Sequence, residues 1–312
     1  MKKWLAALPI CILFSCGGGP SGKIEETTTR GNITIASDES YKPLVDAEVF
    51  VFESNYKYAK VKPIYTSEGD ALELLKNDSV RLVIMSRKLS DDEKQYFKDK
   101  QRIPKETHIA FDGLAFISNR ENKDTTLSFA EIQNLFTGKV KTWGGLNNGK
   151  ENSDSVRIVF DSPKSGNARY LKEQFKLNDL PSNCYAASNN EAVLEYVEKN
   201  KNAIGIISSG LIADSDDSLS QSFVNRVNVL GISAKNDPQG LKGFVQPYQE
   251  YITDGSYPFK RDIYIVNCEI GTRLGTGFSS FVAGDKGQRI ILKSGLLPAV
   301  MPVRFIEVSN EF

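Results

Sequence analysis

Three short stretches put hydroxyls, amides and small residues where an apolar strand hands over to a helix. They are Ser37-Asp38-Glu39-Ser40-Tyr41, Thr66-Ser67-Glu68-Gly69-Asp70 and Ser165-Gly166-Asn167. The first turn of a helix leaves N–H groups without partners and carries a partial positive charge. A hydroxyl one step earlier adds a directed donor. The chemistry open to such a set is the binding of an anion. Ser, Asp and Asn are also the preferred ordinary N-caps, so spacing alone leaves both readings open. One helix terminus supplies about 0.3–1 kcal/mol when exposed and up to about 2 when partly buried. Burying an isolated anion costs far more. Helix ends would therefore need the charge-assisted hydrogen bonds of an arginine beside them.

The elements that must position these turns alternate along the chain. NITIAS (32–37), VKPIY (61–65), RLVIMS (81–86), VRIVF (156–160) and AIGIIS (203–208) read as strands, as do DIYIVN (262–267) and VRFIEV (303–308). Helical patterns follow in YKPLVDAEVFVFESN, DALELLKN, ARYLKEQF and AVLEYVEKN. Ser90-x-x-Glu93, Ser128-x-x-Glu131 and Ser188-x-x-Glu191 read as capping boxes, each opening a helix. IAFDGLAFISN is a long apolar run that Asp112-Gly113 interrupts, and GFSSFVAGDKGQRIILKSGLLP reads as two short helices ending at Gly295. This alternation predicts an α/β fold with a largely parallel sheet.

Other chemistries find little support. The 312 residues, enough for two compact domains, balance 39 basic against 39 acidic side chains, and no basic patch stands out, so nucleic acid is not an expected partner. His108 is the only histidine and lies in the apolar run THIAF, where a structural role is expected. No metal-ligand spacing and no G-x-S-x-G elbow occurs; a metal, a cofactor and a hydrolytic nucleophile are not expected. Trp143 reads as packing, and Asp214-Ser215-Asp216-Asp217 as a solvated loop.

The first residues, MKKWLAALPICILFSC, join a basic start to an apolar run too short to span a bilayer. Leu13-Phe14-Ser15-Cys16 resembles the bacterial lipobox, which implies cleavage before Cys16 and lipidation of its sulfur. Residues 1–15 are then a lipoprotein signal peptide and 16–30 a flexible tether. Cys184 and Cys268 remain, and their spacing does not decide whether they pair.

From about residue 32 onward the chain resembles the periplasmic phosphate-binding proteins of ABC transporters, within the type II periplasmic binding protein superfamily. TSEGDALELL, IMSRKLSDDE, LSFAEIQNLFTGKVKTWGGL and DSPKSGNARYL stand in the order of that family's segments. The resemblance implies a two-domain α/β fold with two crossings. Domain 1 would hold 31–113 plus 258–312, and domain 2 would hold 114–257. Inorganic phosphate, or a similar tetrahedral oxyanion, would sit between them. Ser67, Ser165, Gly166 and Asn167 fall on the family's ligand loops, and Glu39 and Ser40 on its first loop. Arg87 stands where the family has an Asp, and Asp161 where it has an Arg. The exchange implies a swapped pair in which Arg87 holds the ion and Asp161 orients Arg87 and accepts a proton from the ion.

The implied protein is a monomeric, lipid-anchored periplasmic lipoprotein that passes phosphate to an inner-membrane permease and does no chemistry on it. The alternative is a binding-protein fold turned to sensing or protein interaction, for which Glu39 and the Arg87/Asp161 departures speak.

Overall fold

The computed structural model describes residues 26–146, 154–213 and 218–302. The lipobox Cys16, the acidic run 214–217 and the expected strand at 303–308 lie outside them. In chain order, the first half comprises β1 (Arg30–Asp38), α1 (Lys42–Asn55), β2 (Tyr58–Thr66), α2 (Glu68–Lys76), β3 (Leu82–Met85), α3 (Asp91–Asp99) and the long β4 (Lys105–Asn119). There follow β5 (Thr126–Leu127), α4 (Phe129–Phe136), β6 (Arg157–Phe160), α5 (Gly166–Phe175), β7 (Cys184–Ala186), α6 (Asn190–Lys199) and β8 (Ala203–Ser208). Then come α7 (Ser218–Arg226), β9 (Val227–Val229), β10 (Gly231–Ile232) and α8 (Gln249–Thr253). The chain returns through β11 (Lys260–Asn267), α9 (Leu274–Ala283), α10 (Asp285–Lys293) and β12 (Leu297–Pro298).

The strands run in the order β2-β1-β3-β11-β4-β8-β6-β7. β1 is parallel to β2 and β3, and β6 is parallel to β7 and β8. The sheet is less parallel than the alternating pattern predicts. β11 inserts antiparallel between β3 and β4, and β4 is antiparallel to β8. Such pairing needs a returning chain, which local periodicity cannot report.

Asp112-Gly113 does not break β4. The strand runs straight through and changes partners there: residues up to Gly113 pair with β11, and Leu114 onward pairs with β8. Gly113 is required by crowding, since a Cβ there would lie 2.8 Å from Pro247 Cβ and 3.0 Å from Ile252 Cδ1. Asp112 is fully buried beside it. Its carboxylate accepts hydrogen bonds from Ser208 Oγ (3.0 Å), Ser209 Oγ (2.9 Å) and Arg261 Nε (2.8 Å). An acid can be buried at this crossing because a guanidinium and hydroxyls meet it.

Each half has its own apolar interior. Ile35, Phe52, Leu82, Ile265 and Phe278 pack in the first, and Phe116, Ile132, Trp143, Phe160 and Phe259 in the second. Trp143 is a packing residue, as its position suggested, and donates its indole N–H to the Asn202 carbonyl. His108 has the expected structural role, with Nε2 3.0 Å from the Ala110 carbonyl. Cys184 and Cys268 are both free thiols, one in each half.

Two local expectations need correcting. The α6 cap is Asn189 rather than Ser188: the Asn189 side chain accepts the Ala192 N–H, and Glu191 turns to Arg226 instead of closing a box. The last residues of the expected tether are also folded. Thr27 and Arg30 close a tight turn before β1, and Thr28 packs directly against Gly277. The boxes at Ser90/Glu93 and Ser128/Glu131 form as expected.

Candidate functional site

Parallel pairing puts the carboxyl ends of β1, β2 and β3 on one edge, so the turns at 38–41, 66–70 and 86–90 lie together. The carboxyl ends of β6, β7 and β8 face them from the other half. Between the halves lies a cavity of about 500 Å³ whose walls include Glu39, Ser67, Asp70, Asp161, Ser162 and Asn189. The N-termini of α2, α5 and α6 approach this cleft. This is the crevice position at which open α/β sheets bind ligands.

The α5 terminus is the most enclosed. Ser165 is its N-cap and accepts the Ala168 N–H. Ser165, Gly166 and Asn167 are all buried. The Gly166 N–H donates across the cleft to Asp38 Oδ2 at 3.0 Å, while Asp38 Oδ1 accepts Ser40 N–H at 2.9 Å. Asn167 Nδ2 donates to Asp161 Oδ1 at 3.2 Å and lies 3.5 Å from Ser40 Oγ. Five of the expected residues, Ser40, Asp161, Ser165, Gly166 and Asn167, thus form one buried cluster.

The space in front of Gly166 is already filled by protein oxygens. A Cβ on Gly166 would stand 2.5 Å from Ser86 Oγ, 2.9 Å from Glu68 Oε2 and 3.1 Å from Asp38 Oδ2. Glu68 is buried and accepts Ser86 N–H at 2.7 Å, the Ser86 hydroxyl, and Arg169 Nε at 2.5 Å from the opposite half. Arg169 Nη2 also donates to Ser86 Oγ at 2.7 Å. Burial opposes charge on Glu68, but Arg169 and the Ser86 hydrogen bonds outweigh it and hold its pKa below the usual glutamate range.

The expected Arg87–Asp161 pair does not form. Both terminal nitrogens of Arg87 are held by Glu93 in its own half, at 2.6 and 2.8 Å, and its Nε lies 3.7 Å from Glu68. A fork-on-fork pair six residues away satisfies the guanidinium locally, with no need to reach across the cleft. Arg87 consequently faces Glu93 and Glu68 rather than the cavity. The arginine that crosses between the halves is Arg169.

Among the described residues no cation lies at hydrogen-bond distance from Asp161. Burial, reinforced by the Asp38 charge, pushes its pKa up to about 7, and the Ser165 hydroxyl only partly offsets this. Burial also raises Asp38, with Glu68 adding to the effect and Arg261 opposing it. Glu39 is raised by burial as well. Its Oε2 accepts the Asn190 main-chain N–H and side-chain Nδ2, both at 3.2 Å, which places a carboxylate on the α6 terminus too. Lys164 joins the halves at the rim: its carbonyl accepts Gly69 N–H at 3.0 Å, and its ammonium meets Asp70 at 2.8 Å. Ser67 lines the cavity while its hydroxyl donates to Asp70 Oδ2 at 2.8 Å.

Among the described residues no group of acids, His or Cys is arranged to hold a metal ion. Asp38, Glu68, Ser86, Arg169, Asn190 and Arg261 contribute beyond the residues that the sequence marks. Asp38 and Glu68 sat inside the turns already singled out. Arg169 carried a signal of its own: a basic residue in the first turn of a helix opposes the dipole and calls for a specific acidic partner.

A model of the PBP superfamily domain matches residues 23–286. A phosphate-binding protein PstS of Staphylococcus saprophyticus is 26% identical over 300 residues, covering 92% of this chain and 88% of its own length. Its counterpart in Staphylococcus aureus strain USA300 is 25% identical over 299 residues, with 92% and 86% covered. A putative phosphate ABC transporter substrate-binding protein from Clostridium perfringens, solved with bound phosphate, superimposes with a TM-score of 0.70. It is 22% identical, with 86% of this chain and all of that one covered. An ABC-type phosphate transport receptor from Vibrio cholerae gives a TM-score of 0.63 at 18% identity, with 86% and 100% covered. With a model match across most of its length and a fold shared with these structures, the chain belongs to the PBP superfamily.

Proposed function

We propose that this protein is the solute-binding component of an ABC phosphate transporter, taking inorganic phosphate or a similar tetrahedral oxyanion in the cleft between its halves. The observation that carries the reading is the convergence of the α2 and α6 termini with the β1–α1 and β6–α5 turns on one cavity, in a chain similar to proteins named for phosphate binding. Ser40, Ser67, Ser165, Gly166 and Asn167 would donate to the ion. Asp161, held partly protonated near neutral pH, would meet the ion's own proton or supply one. Sulfate carries no proton at that pH, so it could be met only by the protonated fraction of Asp161, and the ionised fraction would face it acceptor to acceptor. Arg87 and Glu39 would act through charge at the edge of the site. The protein does no chemistry on the ion. Lipidation of Cys16 would anchor it, as a monomer, outside the cytoplasmic membrane beside its permease.

Calorimetry with phosphate and with sulfate tests this. Phosphate should bind with micromolar or tighter affinity, sulfate at least tenfold more weakly, and Ser165→Ala should lose about tenfold, which corresponds to about 1.4 kcal/mol. Absence of heat with either ion would reject the reading.

A specific observation favours a second reading. Asp38 and Glu68 occupy the space before Gly166, which fits a binding-protein fold kept for sensing or protein contact without transport. That reading expects no oxyanion to bind under any condition.

A further inference from the structure

We infer that Asp38 is an internal ligand of the cleft: its carboxylate takes the α5 amide that an oxyanion would take, and so holds the two halves closed with nothing bound.

Three of the contacts across the cleft have a common form. One carboxylate from the first half meets the start of a helix or a guanidinium from the second. Asp38 reaches Gly166 N–H at 3.0 Å, Glu39 reaches the Asn190 amide at 3.2 Å, and Glu68 reaches Arg169 at 2.5 Å. Helix N-termini attract anions whatever their source. Here the chain itself supplies them. Asp38 is 1% exposed, and each of its two oxygens serves one half: Oδ1 caps its own turn at Ser40, and Oδ2 crosses. The groups facing it are Glu68 from α2, Arg261 from β11, Asp161 from the β6–α5 turn and the neighbouring Glu39. Arg261 is buried, with Nη1 lacking a hydrogen-bond partner among the described residues and the guanidinium lying 5.4 Å from the Tyr41 ring centre. It is a buried positive charge facing Asp38 and opposes the rise that burial imposes on that carboxyl.

Two anions cannot share the Gly166 amide. An external oxyanion therefore reaches that amide only by displacing Asp38, and closure ceases to report its occupancy. The identity of the competitor rests on the phosphate reading; closure without ligand does not.

Small-angle X-ray scattering of the purified protein, with and without phosphate, tests the inference. Asp38→Ser keeps a side-chain oxygen to cap Ser40 but is too short to cross the cleft. Wild-type protein should give the same closed profile in both conditions. Asp38→Ser should expand without phosphate, contract with it, and bind phosphate at least tenfold more tightly than wild type. A wild type that is expanded when free and contracts on phosphate would overturn the inference and leave the phosphate reading standing. A closed wild type, an expanded Asp38→Ser and no phosphate binding by either would keep the inference and reject the phosphate reading. Should Asp38→Ser fail to fold, Asp38→Asn, which retains a single acceptor oxygen, should show an intermediate expansion. A closed profile in either folded variant without phosphate would overturn the proposal.

Discussion

Glu48 offers a prediction that the structure makes quantitative. It lies on α1 in register with Leu44, Val45 and Phe52, on the face that enters the first core. It is 2% exposed, and among the described residues neither carboxyl oxygen has a hydrogen-bond partner. Burial alone pushes its pKa from 4.5 up to about 9. In the folded protein Glu48 is therefore neutral at pH 7, while in the unfolded chain it is ionised. Taking up that proton costs about 1.4 kcal/mol per pH unit above 4.5, or about 3 kcal/mol at pH 7. The sign follows from the raised pKa. The folded state holds more protons than the unfolded state between pH 4.5 and 9, so stability is fully present below 4.5 and declines as pH rises towards 9. Glu48→Met has similar length and no charge. It should be more stable than wild type by about 3 kcal/mol at pH 7 and by about 0.8 kcal/mol at pH 5. Urea unfolding followed by far-ultraviolet circular dichroism at pH 5, 7 and 8.5 is the assay. Fluorescence would be less informative, because Trp143 reports on the other half. A stability difference that does not change with pH, or a wild type more stable than the variant at pH 8.5, would refute the assignment of a buried, unpaired acid.

Two further outcomes follow from the same contacts. Asp161, raised from 3.8 to about 7, makes the folded state bind the extra proton between those values, so its contribution to stability falls as pH rises through that window and is flat above it. Asp161→Asn should remove up to about 1.4 kcal/mol per pH unit of that slope, read from unfolding curves at pH 5 and pH 7.5. Arg261→Met should cost about 3–5 kcal/mol by leaving Asp112 buried without its cation, and adding Asp112→Asn should recover part of the loss in the same denaturation assay.

What the sequence determined by itself was whatever lies within one turn or one strand. The capping boxes at Ser90 and Ser128 were legible because cap and partner are three residues apart. The helix α1, the paired helices ending at Gly295 and the strand-to-helix turns that form the cleft were legible for the same reason: periodicity and turn chemistry are local. Family resemblance added that those turns would face one another. Tertiary structure decided which charge meets which. Arg87 looked available to Asp161 but closes on Glu93, six residues away, whereas Arg169 crosses 101 positions to Glu68. Asp38 looked like a cap and is one, yet its second oxygen finds Gly166, 128 positions on. A helix terminus announces its need for an anion in sequence. Which anion answers depends on how the sheet returns through β11 and how the halves close, and those are properties of the folded chain.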